Sequence, residues 1–239
     1  MQNRFYRDWV KNHKGVSFQV QIEETDLFIS ADSNIKDQAF DCVRKQRALL
    51  EEHIQSNPSF LESLQPVQID SSAPIIVKEM ARAALVAEVG PMAAVAGAMA
   101  EIVGKELHDL SKNIIVENGG DIYIDTQDTS IVALYAGNSS ISGKVGLKLD
   151  QNIMPIGVCT SSATVGHSLN FGRADAVAVV SDSTAIADAL ATSISNMIKS
   201  SSDIEFALKY AQNVSDIKGL VIVVAEKIAF YGDIEIIKI

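Results

Sequence analysis

The chain has 239 residues, 47% of them hydrophobic and 6% aromatic, enough to bury a large core as one domain or as two closely fused lobes. Its net charge is −10 and its Lys/Arg cluster is confined to Arg4, Arg7, Lys11 and Lys14, which argues against a nucleic-acid groove or an anionic-membrane patch. Cys42 and Cys159 are too few for a disulfide framework. His13, His53, His108 and His167 form no HxxxH or HExxH pair, so zinc is not expected.

The opening MQNRFYRDWVK has no apolar core of signal-peptide length, and a cytoplasmic protein is expected. VSFQVQI (16–22) and LFISA (27–31) read as two strands around the turn-like Glu23 to Asp26, an N-terminal hairpin. From Asn34 to Gln55, Ile35, Ala39, Val43, Leu49 and Leu50 recur at helical spacing until Asn57-Pro58 ends the pattern. A Pro- and Ser-rich connector covers 59–74. Helices follow at about 75–88 and 91–107, the second with Pro91 in its first turn, where a missing N–H costs little. The apolar run 83–104 is broken by Glu88, Gly90, Pro91 and Glu101 and is rich in Ala rather than Leu, a poor membrane span. Between Met92 and Ala100 the second helix carries only small residues, Val and Met. Such a surface admits a ligand or another backbone, and the composition leaves both open.

Strands dominate from IIVEN (114–118) through DIYID, SIVALYA and KVGLKL to PIGVCT (155–160). Within IIVENGGDIYID, Asn118-Gly119 is a strong hairpin signal, because both residues tolerate positive φ. The same bare backbone leaves N–H groups open to an anion such as phosphate. CTSSATVGHSLNFGRAD (159–175) is a long polar loop carrying Thr160, Ser161, Ser162, Thr164, Ser168, the flexible Gly166 and one imidazole, His167. DAVAVVS (175–181) leads straight into a helix at 183–198, with Asp182 or Ser183 as N-cap. On that helix Thr184, Asp188, Thr192 and Asn196 stand four apart and share one ridge, with no Lys, Glu or Arg between Ser183 and Ile198. A carboxylate and a hydroxyl at i, i+4 are hard oxygen ligands suited to a partly hydrated Mg²⁺ shared with a phosphate. A further helix at about 203–213 precedes LVIVVA, KIAFYG and DIEIIKI. Strands in meanders, with helices inserted in pairs, indicate an α+β fold rather than βαβ alternation.

ENGGD, PIGVCTSSATVGHSLNFGRADAV and IADALAT, in this order and at these separations, resemble a family of ApbE-like proteins of uncharacterised activity. VGPMAAVAGAMAE and ETDLFI extend the resemblance over nearly the whole chain. That family is itself distantly similar to ApbE, the FAD:protein FMN transferase, which shares the NxGGD turn, a Thr-Ser loop and an ADAxxT helix. The resemblance implies one ApbE-like, T-fold-like domain over 1–239, or two closely fused lobes, with mixed sheets and packed helix pairs. It also implies Mg²⁺ held between the phosphates of FAD and the ligands Asp188 and Thr192. Asn118, Gly119, Gly120 and Asp121 would then lie beside the nucleotide, with Thr160, Ser161, Ser162, Thr164 and Gly166 lining the same pocket.

Two departures weigh against flavin chemistry as such. Where ApbE enzymes carry KGxxxD, this chain has Ala96-Gly97 followed by Glu101, without the Lys; where they carry His-x-x-Asp-Pro, it has Gly166-His167-Ser168, without the Asp-Pro. The activity implied is Mg²⁺-dependent chemistry at a flavin or nucleotide pyrophosphate, either FMN transfer to a hydroxyl of an acceptor protein or FAD hydrolysis, with His167 as candidate base. The alternative is a non-catalytic binding protein for a flavin or other phosphate-bearing metabolite. A third reading is an assembly protein whose helix 91–107 packs on a partner chain, which leaves a homo-oligomer open. A small phosphate-bearing ligand is the expected partner, with neither nucleic acid nor membrane.

Overall fold

Period-two alternation decides where the core lies. The computed structural model describes residues 15–137, 139–162 and 171–239; the basic residues Arg4, Arg7, Lys11 and Lys14, and the candidates Thr164, Gly166 and His167, lie outside the described residues. The strands run in chain order as β1 (Val16–Ile22), β2 (Thr25–Ala31), β3 (Ile114–Asn118), β4 (Asp121–Asp125), β5 (Ser130–Ala133), β6 (Val145–Leu149), β7 (Ile156–Ser161), β8 (Ala176–Ser181), β9 (Gly219–Val224), β10 (Lys227–Gly232) and β11 (Glu235–Lys238). The helices are α1 (Lys36–Ser56), α2 (Ser59–Glu62), α3 (Ile75–Ala87), α4 (Val95–Leu107), α5 (Thr184–Met197) and α6 (Ile204–Ala211).

Eight strands form one sheet in the order β1-β2-β3-β4-β7-β8-β9-β10, and β11-β6-β5 form a second; each of these pairings is antiparallel. The expected α+β architecture holds. On the large sheet, Leu27, Ile29, Ile114, Val116, Tyr123, Cys159, Val177, Val179, Leu220 and Ile222 face the helices. Their alternating neighbours Ile124, Ile156, Val158, Ala178, Val180, Val221 and Val223 face the other way, onto Leu147 and Leu149 of the small sheet. Each such aliphatic side chain, fully buried, stabilises the fold by about 1.5–3 kcal/mol.

α1 is amphipathic in the ordinary way, burying Ala39, Cys42, Val43, Gln46 and Leu50, and it stops where the Asn57 N–H turns back to the carbonyls of His53 and Ile54. α5 is buried on almost every side, from Thr184 to Ser195, because it packs against β7, β8, α3 and α4. The segment 91–107 starts as a 3₁₀ turn, Pro91–Ala94, and becomes α4 only at Val95. Its small residues serve another backbone: a Cβ on Gly97 would lie 2.4 Å from the Thr184 carbonyl oxygen and 2.8 Å from Asp188 Cβ. Among the described residues no single helix is long and apolar enough to cross a membrane. α3 with the 91–107 segment passes that test only as a pair bent by 105°.

Two local readings change. The 59–74 connector contains the short α2, anchored by buried Phe60. The strand read over 130–136 pairs only to Ala133, because the Leu134 carbonyl accepts the Gly143 N–H in the turn back to β6; Leu134 and Ala136 stay in the core.

Gly97→Ala is expected to destabilise the protein by about 1–3 kcal/mol, since α4 and α5 must separate to admit the methyl. Denaturant unfolding should show a lower midpoint at unchanged slope. A wild-type midpoint would mean that the helices have slack at this crossing.

Candidate functional site

The β3–β4 turn is built by register. Asn118 pairs with Asp121, so Gly119 and Gly120 form the two-residue loop between the strands expected from IIVEN and DIYID. Gly119 has φ +76°, the sign required of the first central residue of a type II′ turn. Gly120 is not in the left-handed region, and its requirement is steric: a Cβ there would lie 2.8 Å from the Thr160 carbonyl oxygen. The Thr160 N–H donates to the Gly120 carbonyl at 3.0 Å, which ties the turn to the end of β7.

Above the turn sits the start of α4. Its N-cap, Ala94, has no side chain able to accept, so the first amides need another partner. Asp188 provides it from α5: Oδ2 accepts the Gly97 N–H at 2.8 Å, and the carboxylate also accepts from the Ala96 amide. Asn118 Nδ2 donates to the Ala96 carbonyl at 3.2 Å, so turn and helix start are joined as well.

The reverse arrangement holds α5. Ser183 caps it, its hydroxyl accepting from the Ile186 N–H, and Glu101 of α4 accepts both the Ser183 hydroxyl at 2.9 Å and the Ala185 N–H at 3.0 Å. The other oxygen of Glu101, which is 3% exposed, pairs with Lys105 Nζ at 2.6 Å. Each helix therefore supplies the carboxylate that caps the other.

Burial pushes the Asp188 carboxyl well above the usual carboxylate range, the charge of Asp121 adds to this, and the amides of Gly97 and Ala96 oppose it. Cys159 faces Asp121 across the β4–β7 pairing and donates to the Thr184 carbonyl at 3.3 Å. Its thiol is pushed up by burial, then by the charges of Asp121 and Asp188, which makes it a poor nucleophile. Asp121, Cys159 and Asp188 are thus close neighbours beneath the α4 terminus.

Of the residues singled out by sequence, Asn118, Gly119, Gly120, Asp121, Thr160 and Asp188 come together around Ala96 and Gly97. Ser161 and Ser162 continue from β7 toward the segment outside the described residues. Thr192 follows Asp188 by one turn on the same ridge, and Asn196 ends it, accepting the Phe171 N–H at 2.7 Å. The ridge is only partly open: Thr184 is 0% and Thr192 8% exposed, because α5 lies between the sheet and other helices, while Asp188 and Asn196 are half-buried. Sequence reasoning treated Glu101 as a break in an apolar run and as the counterpart of the Asp of KGxxxD. The available signal of its capping role is an acid that directly follows the small, apolar run 92–100.

Among the described residues no three His, Cys, Asp or Glu side chains converge as a metal cluster. One carboxylate with one hydroxyl nevertheless suits Mg²⁺, which keeps several waters and takes phosphate oxygens as ligands. A separate groove of about 390 Å³ lies under the end of α1, lined by His53, Phe60 and Asp70 among others, and shares none of these residues.

The family model described as "AbpE bacteria" matches residues 7–228. A UPF0280 protein of Methanocaldococcus jannaschii is 45% identical over 227 residues, 92% of each chain. The chain belongs to the UPF0280 family of ApbE-like proteins. A UPF0280 protein of Methanothermobacter thermautotrophicus is 44% identical over 196 residues, covering 79% of this chain and 75% of its own. Two solved structures share the fold of this UPF0280 chain at 12% identity and TM-score 0.57. They are the ApbE protein of Thermotoga maritima (90% of this chain, 96% of that one) and the apo flavinyl transferase ApbE of Pseudomonas stutzeri (91% and 94%).

Two outcomes follow from the crossed carboxylates. Glu101→Ala strands the Ser183 hydroxyl and the Ala185 amide in a buried place, and thermal or denaturant unfolding should show a loss of about 2–4 kcal/mol. Asp188, with a folded pKa above its unfolded value of about 3.9, keeps a proton that the unfolded chain has already lost. Its unfavourable contribution is absent below the unfolded pKa and grows as pH rises through the folded one. In metal-free protein, stability should therefore fall with rising pH more steeply for wild type than for Asp188→Asn, whose amide oxygen still accepts from Gly97. Equal slopes in the two proteins would show that this carboxyl does not titrate abnormally.

Proposed function

We propose that this UPF0280 protein binds a divalent cation, Mg²⁺, through Asp188 and Thr192, and with it the phosphates of a flavin or nucleotide. The observation that carries the reading is Asp188 itself: a half-buried carboxylate beside a second one, Asp121, with the hydrogen bonds of Asp188 going to the Gly97 and Ala96 amides rather than to a Lys or Arg. A hard cation supplies the compensating charge that these surroundings call for.

The reaction proposed is Mg²⁺-dependent cleavage of a pyrophosphate, as FMN transfer to an acceptor-protein hydroxyl or as FAD hydrolysis. When bound, Mg²⁺ neutralises the pyrophosphate and stabilises charge on the departing phosphate. Asp188, already fixed by the Gly97 amide, and Thr192 orient that ion. The backbone at Gly119 and Gly120 supports the phosphates, and His167 is proposed to take the proton from the attacking hydroxyl or water. The likeness in fold to the Pseudomonas stutzeri flavinyl transferase supports flavin as the ligand class.

The second reading is a binding protein without turnover. Ala96 favours it: this position offers its backbone to Asn118 and Asp188 and brings no side-chain cation to a phosphate.

Calorimetric titration with FAD, FMN and ADP, with and without Mg²⁺, tests the site. Asp188→Asn and Thr192→Val should each reduce Mg²⁺-dependent binding at least tenfold, about 1.4 kcal/mol, with the fold retained. Metal-independent binding of equal affinity in all three proteins would rule out the cation site. Product formation from FAD separates turnover from retention.

A further inference from the structure

The ridge of α5 ends at an aromatic side chain that the proposed chemistry leaves unused. Phe171 is 55% exposed in a chain with few aromatic residues. Its backbone is pinned at both polar groups: the N–H donates to Asn196 Oδ1 at 2.7 Å, and the carbonyl accepts from Lys199 Nζ at 2.5 Å. Two residues on, the Arg173 N–H donates to the Ile198 carbonyl at 2.7 Å, so the segment is tied along the C-terminal end of α5. Burial does not account for such anchoring, since the ring itself stands in solvent.

Geometry relates this ring to the cation site. Asp188, Thr192 and Asn196 occupy successive turns of one ridge, and eight residues of α-helix span about 12 Å. A ligand with phosphates at Asp188 and Thr192 that ran over the half-buried Asp188 and Asn196 would reach the Phe171 backbone, tied to Asn196, about one nucleoside length away. A Phe side chain on an anchored backbone has only two side-chain torsions to order on contact, and its face suits any flat heteroaromatic ring.

We propose that Phe171 is the platform on which the ring of a nucleotide ligand stacks while its phosphates are held at Asp188 and Thr192. This rests on the cation-site reading above and adds to it a residue that selects ring-bearing ligands over bare phosphates. The chemistry is shared by adenine and isoalloxazine, and separate titrations with ADP and FMN tell which ring is taken.

The test compares pyrophosphate, ADP and FMN, each with Mg²⁺, on wild type, Phe171→Ala and Phe171→Trp by calorimetry. Wild type should bind at least one of the ring-bearing ligands more tightly than pyrophosphate. Phe171→Ala should weaken that ligand by about 5- to 100-fold, the range of base–aromatic stacking, and leave pyrophosphate unchanged, while Phe171→Trp restores the binding. Nucleotide affinity unchanged in Phe171→Ala, with pyrophosphate still bound, would overturn the platform and leave the cation site standing. Equal loss of pyrophosphate and nucleotide would also overturn it, since Phe171 would then act on the phosphate end. No Mg²⁺-dependent pyrophosphate binding in wild type would remove both proposals together.

Discussion

The first amides of α4 and α5 are satisfied crosswise, Asp188 of α5 accepting from Gly97 and Glu101 of α4 accepting from Ala185, and this exchange fixes how the two helices lie on the large sheet. A helix start buried without acceptors would leave several N–H groups unpaired, each at a cost comparable to a lost hydrogen bond. The crossing also demands contact at backbone distance, which Gly97 permits. The small residues of α4, the cap at Ser183 and the two acids are therefore one solution to one packing problem. Shortening either carboxylate would disturb both helices, and with them the turn that Asn118 hangs on Ala96.

The two acids are not electrostatically alike. Glu101 meets Lys105 at its other oxygen, so its charge has a cationic neighbour one turn away, in the orientation that favours a helix pair. Burial raises the pKa of Asp188, and its charged neighbour Asp121 raises it further. The same fold thus holds one carboxylate in a balanced setting and another in an unbalanced one. Unbalanced groups of this kind are characteristic of functional sites, although a structural cap can be perturbed for the same reasons. The amide bonds to Asp188 also serve a second end, since they hold the carboxylate in one orientation before any ligand arrives.

Most of the fold was legible in the sequence because it rests on local patterns. Alternation in LFISA and LVIVVA marked the strands, Asn57-Pro58 marked the end of α1, and Ser183 marked the start of α5. What the sequence hid is long-range. Nothing local says that β11 returns to pair with β6, 87 residues from Lys148 to Glu235 in chain separation. The ridge of α5 is legible as a shared face, but how little of it is open is not, because Ala, Ser and Thr do not distinguish a roomy surface from a tightly packed interior. The β3–β4 turn is legible as well: IIVEN and DIYID bound it, and the pairing of Asn118 with Asp121 leaves Gly119-Gly120 as the loop.

A phosphate and Asp188 have competing claims on the same place. The start of α4 is positively polarised and attracts anions, and in this protein its Ala96 and Gly97 amides are already given to the carboxylate. An anionic ligand entering alone would face two carboxylates and find those donors occupied. Binding of phosphate by displacement of Asp188 would uncap the helix and forfeit the crossed arrangement that sets the packing. A cation held by Asp188 would remove the conflict, since the carboxylate keeps lone pairs not engaged with amides and the added positive charge would offset the field that an anionic ligand meets. Ala96 brings no side-chain charge to the α4 terminus, so a phosphate bound there would need a cation from elsewhere.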